Sequence, residues 1–145
     1  MKTEIFLYIG GVFNLIWATF DFFWPKFFNW KEALAPLDDL HRILLPLTSR
    51  MLVVFYLGVA YISFFHASEL ISTDLGKTFL VFVSIYWAVR AVLQIHYLGF
   101  KKANEFNVAF SSYFPIVNIS NKTISYMFFI EFLIISALYF IPAMC

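Results

Sequence analysis

The chain has 145 residues, 62% of them hydrophobic and 22% aromatic against 13% charged, with a formal net charge of +1. Soluble domains carry about 25% charged and roughly 45–50% apolar residues, and a fold of this size has too little interior to hide the excess. An ordinary soluble enzyme, a disordered chain and a nucleic-acid binder are excluded, and the single cysteine, Cys145, excludes an intrachain disulfide or a CxxC redox pair.

What remains is an integral membrane protein. About 20 helical residues cross a hydrocarbon layer of ~30 Å, and four windows are apolar enough over that length: 5–25, 43–66, 78–100 and 124–145. The expected fold is all-α, a four-helix membrane bundle forming one domain, with short interfacial helices in its loops. The first span has Lys2 offset by Glu4 and no small-x-small cleavage site, so it reads as a retained helix rather than a signal peptide. After it, Phe27, Trp30, Leu34 and Leu37 recur at helical spacing, with Lys31, Glu32 and Asp38 elsewhere. That is the pattern of a short helix lying in the headgroup layer, ended by Pro36.

The run Asp38-Asp39-Leu40-His41 reads as a cap for the second span rather than a cation site. Pro46 falls in the first turn of that span as delimited here, where a missing N–H is tolerated, and Pro142 in the last turn of the fourth. The 101–123 segment holds the uncharged aromatic stretch NVAFSSYFPIVN and is expected to be interfacial too. Its sequons at Asn118 and Asn121 read as chance.

Lys26, Lys31, Arg42, Lys101, Lys102 and Lys122 flank one side of the spans, and Lys2 and Lys77 the other. The positive-inside rule therefore puts loops 26–42 and 101–123 in the cytoplasm and both termini outside. With the Lys/Ile/Phe/Asn-rich usage, the expected location is a bacterial inner membrane with periplasmic termini. Trp24, Trp30, Tyr97, Phe100, Tyr113 and Tyr126 fall near the cytoplasmic boundary, as an aromatic belt would.

Inside the spans sit Asp21, Arg50, Arg90 and Glu131, with Asn14, Gln94 and His96 as neutral companions. An ionised side chain at mid-helix costs roughly 2.5–3.5 kcal/mol on an insertion scale. Measured from each span's midpoint toward the cytoplasm, Asp21 lies about 9 Å away, Arg50 about 7 Å, Gln94 about 7 Å, Glu131 about 5 Å and Arg90 about 2 Å. Two acids and two bases in one half of the membrane sum to zero charge, which is expected of inward-facing partners and not of lipid-facing ones. The stripes Gly10-Asn14-Trp17-Asp21, Arg50-Val54-Gly58-Tyr61 and Trp87-Arg90-Gln94-Tyr97 are expected to face one another, with Glu131 a lone acid beside Phe128, Ile135 and Leu138. Arg90, Gln94, Asp21, Glu131, Asn14 and Arg50 form the candidate ligand-binding or intramembrane polar cluster. The competing reading is structural: ion pairs that fix helix register, with Arg50 snorkelling to the interface.

No catalytic residue and no cofactor are indicated. HExxH and GxSxG are missing from the sequence. His66 and His96 fall near opposite ends of the spans and cannot share a haem.

The order of elements carries a resemblance. A GG-containing first helix ends in DFFWPKFFNW, a short amphipathic link follows, and LGK leads into a third helix with YWAVRAVLQ. Over roughly residues 5–100 this resembles small four-helix membrane proteins of bacteria of the DoxX-like group. The resemblance implies architecture and no catalytic residues.

The first functional expectation is a non-enzymatic accessory subunit or binding partner within a membrane complex, meeting the lipid bilayer and other membrane subunits or itself, and no nucleic acid. The alternative is a homo-oligomeric transporter, channel or lipid/quinone-binding protein using the charged cluster. A third is a lipid-modifying enzyme with Asp21 or Glu131 as general base and Arg90 holding a phosphate.

Overall fold

The computed structural model describes residues 3–27, 29–98 and 121–145. Every regular element among them is helical: α1 (Glu4–Phe27), α2 (Trp30–Ala33), α3 (Asp39–Phe65), α4 (Ala67–Ser72), α5 (Asp74–Leu93), a π-helical turn (Gln94–Leu98) and α6 (Asn121–Met144). Four helices are long and apolar enough to cross a membrane: α1, α3, α5 with the first part of its π-turn, and α6. The 27 residues of α3 make it roughly 40 Å long.

The four candidate spans lie where the sequence expects them, but each begins earlier. α3 begins at Asp39 rather than 43, and α5 at Asp74 rather than 78. Caps explain both shifts. Asp38 Oδ1 accepts the His41 backbone N–H at 2.9 Å, and Thr73 Oγ1 accepts the Gly76 N–H at 3.0 Å. Each helix starts where a side-chain oxygen can satisfy an orphan donor, not where the apolar run begins. The His41 N–H holds the exposed Asp38 carboxyl below its usual pKa, and the His41 ring, with Nδ1 2.7 Å from Oδ2, adds to the effect.

Two prolines sit differently from expectation. Pro46 is well inside α3 rather than in its first turn, and α1 runs on through Pro25 to Phe27. Pro25 has no N–H, so the Asp21 carbonyl loses its helical donor. Ser49 Oγ of α3 donates to that carbonyl in a long bond of 3.5 Å.

The interfacial helix expected over 27–37 is reduced to the single turn of α2. Asn29, at φ 44°, breaks the chain away from α1, and after α2 the backbone turns ahead of Pro36. Arg42 braces this link by donating to the carbonyls of Ala35 at 2.9 Å and Leu37 at 2.8 Å. Of the other interfacial segment, positions 99–120 lie outside the described residues, including Phe100, Lys101, Lys102, Tyr113 and the Asn118 sequon.

Contacts divide the chain into two units, Leu7–Ala67 and Ser68–Cys145 with Met1–Phe6. In the first unit α1 and α3 run antiparallel. At one end Tyr8 stacks on Phe64 with ring centroids 6.4 Å apart, and a Cβ on Gly11 would stand 3.0 Å from Phe64 Cζ. At the other end Ser49 meets Asp21 and Arg50 meets Phe22. The buried face of α3 is Val53, Tyr56, Val59, Ala60 and Ser63.

In the second unit α5 and α6 run antiparallel. α5 buries Leu80, Val83, Ser84, Trp87 and Ala91, and α6 buries Phe132, Ile135, Tyr139 and Ala143. Trp87 and Phe132 lie 5.4 Å apart. Ser136 Oγ donates to the Ser84 carbonyl at 2.9 Å, which leaves Ser84 Oγ to donate its proton to Ser136 Oγ at 3.1 Å. α4 crosses the start of α5 so closely that a Cβ on Gly76 would lie 2.5 Å from Leu70 Cα and 2.6 Å from Leu70 O.

Gly76→Ala therefore forces two backbones apart, at an expected cost of about 1–3 kcal/mol. Gly58→Ala, at a site with nothing within 4 Å of its Cβ, is expected to be neutral or to gain about 0.5–1 kcal/mol of helix stability. Thermal unfolding in detergent compares the two, and equal effects would contradict the close approach at Gly76.

Candidate functional site

A polar side chain in an apolar helix is costly unless it is hydrogen-bonded, and a charge costs more. The candidate residues answer this in different ways. Asn14 is fully buried on α1, and its Nδ2 donates to the Gly10 carbonyl one turn back at 2.8 Å. Asp21 is buried two turns further along the same face, so the stripe Gly10-Asn14-Trp17-Asp21 does point inward as expected.

The second stripe does not. Arg50, Val54, Gly58 and Tyr61 are all exposed, and α3 packs through the neighbouring face instead. α3 is apolar nearly all round, so spacing alone cannot select its packed face. The small side chain of Ser63 helps select it: a Cβ on Gly11 would stand 3.2 Å from the Ser63 Cβ, so α1 approaches closely there. The Arg50 guanidinium lies 4.9 Å from the centroid of the Phe22 ring. Asp21 precedes that ring directly, so Asp21 and Arg50 stand at one level of the α1–α3 hairpin.

The second unit repeats this arrangement. Arg90, half-buried, has its guanidinium 5.0 Å from the Phe132 ring and 5.8 Å from the Trp87 ring. Glu131, also half-buried, precedes Phe132 directly, so Arg90 and Glu131 share a level of the α5–α6 hairpin. A cation over an aromatic face gains about 0.5–1 kcal/mol when exposed and ~2 kcal/mol or more when desolvated. Each guanidinium is thus supported by a ring beside the acid at its own level.

Gln94 is half-buried and opens the π-turn, and its backbone N–H reaches the carbonyls of both Arg90 and Ala91. Such π-turns recur at functional sites. His96 lies exposed within this one. The Tyr97 side chain lies outside the described residues. On α6 the face beside Glu131 is partly as expected, with Ile135 buried and Phe128 and Leu138 half-buried. The Ser84–Ser136 pair leaves only a faint mark in the sequence, a small polar residue on each facing stripe of two apolar helices.

Among the described residues no three His, Cys, Asp or Glu side chains group closely enough to hold a metal ion. Asp38 and His41 engage each other in the α3 cap. No protein-family model, curated protein or solved structure matches the chain. The resemblance to the DoxX-like group rests on the residues quoted above.

If Arg90 and Glu131 act as a pair, removing both costs less than the two single losses together. A double-mutant cycle of Arg90→Leu and Glu131→Leu is expected to show a coupling of about 1–2 kcal/mol. Additivity within about 0.5 kcal/mol in unfolding measurements would contradict the pairing.

Proposed function

We propose that the chain inserts in the bacterial inner membrane through α1, α3, α5 and α6, and that it serves as a non-enzymatic accessory subunit. Its role is to bind other membrane proteins or further copies of itself. The observation that carries this proposal is α3. It is the least buried of the four candidate spans, with less than half of α1's buried share. In its second half it exposes Val54, Gly58, Tyr61 and Phe65, which alternate at 4- and 3-residue spacing. That alternation, with a glycine admitting close approach, is the geometry by which membrane helices meet.

The orientation keeps the 26–42 loop in the cytoplasm and the termini in the periplasm, supported by the basic residues Lys26, Lys31 and Arg42 around that loop. The absence of HExxH, GxSxG and CxxC from the sequence supports a binding role over catalysis. One observation favours a second reading, a homo-oligomeric transporter, channel or lipid/quinone-binding protein. It is the π-turn that starts at Gln94, one turn beyond Arg90.

A photo-crosslinking residue at Tyr61, activated in native membranes, is expected to give one or two discrete protein adducts. The same probe at Tyr56, a buried position, is expected to give none. Lipid adducts alone at Tyr61 would contradict the docking role.

A further inference from the structure

We infer that the α1–α3 hairpin holds an anionic phospholipid, with its phosphate between Arg50 and Lys26 and its acyl chains along the exposed first half of α3. The inference rests on the membrane insertion proposed above.

Arg50 is a charge within a candidate span that lies on the outside of the hairpin, while Asp21 at the same level is buried. Among the described residues neither Arg50 nor Lys26 has an ion-pair partner. Arg42, by contrast, is committed to the carbonyls of Ala35 and Leu37 and lies 3.4 Å from Asp39. Arg50 is held instead on a shelf, the exposed ring of Phe22 at 4.9 Å. Lys26 is exposed one turn beyond Phe22 on the same face of α1, about 6 Å further along the helix axis.

The helices are antiparallel, and a helical side chain leans toward its own N-terminus. The long Arg50 side chain therefore leans toward the α2 end of the hairpin, which is the end where Lys26 stands. Depth agrees. From Arg50 to Phe65 α3 rises roughly 22 Å, which leaves about 8 Å of a ~30 Å hydrocarbon core ahead of Arg50. A snorkelling arginine covers that distance to the headgroups.

Two cations in a row above an aromatic shelf match a phosphodiester. The guanidinium offers a bidentate fork and the ammonium a point charge. Beside them Leu47 and Met51 expose an apolar strip along the first half of α3 that suits acyl chains. Basic sites between membrane helices on the cytoplasmic side take anionic headgroups in this way.

The test uses the full chain in nonionic detergent, with native mass spectrometry and thermal unfolding in the presence of phosphatidylglycerol, phosphatidylcholine or inorganic phosphate. Wild type is expected to favour phosphatidylglycerol over phosphatidylcholine by about thirty-fold, with Arg50→Gln and Lys26→Gln each losing about five-fold of that preference. The double variant loses the preference, whereas Arg50→Lys retains most of it. Should Arg50→Gln fail to fold, Lys26→Gln near the end of α1 carries the test. No preference in wild type, or an undiminished one in the variants, overturns the inference. Equal stabilisation by inorganic phosphate assigns the site to a free anion and overturns the lipid. Alkaline carbonate extraction separates the two levels: release of the chain from membranes contradicts insertion itself, while retention without a lipid preference overturns this inference alone.

Discussion

A peptide N–H or C=O in hydrocarbon has no water to bond, so it must be satisfied within its own segment, and side chains with polar atoms face the same demand. The polar side chains of the spans largely meet it without leaving their helix. Asn14, Thr19, Thr48, Ser63 and Thr78 each donate to the carbonyl one turn back, at 2.8–2.9 Å. Where Pro25 removes the backbone donor to the Asp21 carbonyl, Ser49 of the neighbouring helix donates to it. Each of the two span arginines rests on an aromatic ring. Of the 20 phenylalanines, Phe22 and Phe132 thus each carry a guanidinium on the ring.

Each unit applies the same solution with different parts. In the first, close approach at Gly11 sets the register and brings Asp21 and Arg50 to one level. In the second, the Ser84–Ser136 interlock and the Trp87–Phe132 contact set it and bring Glu131 and Arg90 together in height. The difference between the units lies in exposure. Arg90 is half-covered between rings and reads as part of the packing, whereas Arg50 faces outward, where it can serve a ligand. One acid and one base per hairpin therefore does not imply one role per pair.

Much of this was legible in the sequence. The number of candidate spans follows from four long apolar windows, and the inward face of α1 follows from the spacing of Gly10, Asn14, Trp17 and Asp21. Asp38 was readable as a cap, although the helix it starts begins earlier than the apolar run. The inward face of α3 was not legible, because a helix apolar on every side offers no contrast between faces, and the charged residue that suggested a face belongs to the outside. The brevity of α2 depends on a left-handed Asn29 and on Arg42 bonding back to the link, neither of which leaves a mark in hydrophobic spacing. The π-turn at Gln94 was equally hidden, since one extra residue per turn over 94–98 does not disturb an apolar pattern.

On this account α3 turns its Leu47-Met51-Val54-Gly58-Tyr61-Phe65 face out of the α1–α3 hairpin, where it meets lipid when the chain is alone and dilute and a protein partner in native membranes. A nitroxide scan along 43–65, with the purified chain alone in liposomes and Cys145→Ser as background, tests it through accessibility to oxygen and to a water-soluble nickel chelate. Oxygen accessibility is expected to oscillate with the helical period, peaking at 47, 51, 54, 58, 61 and 65, with chelate access low from 51 to 61. Oxygen minima at those positions, or free chelate access along the whole helix, would contradict it.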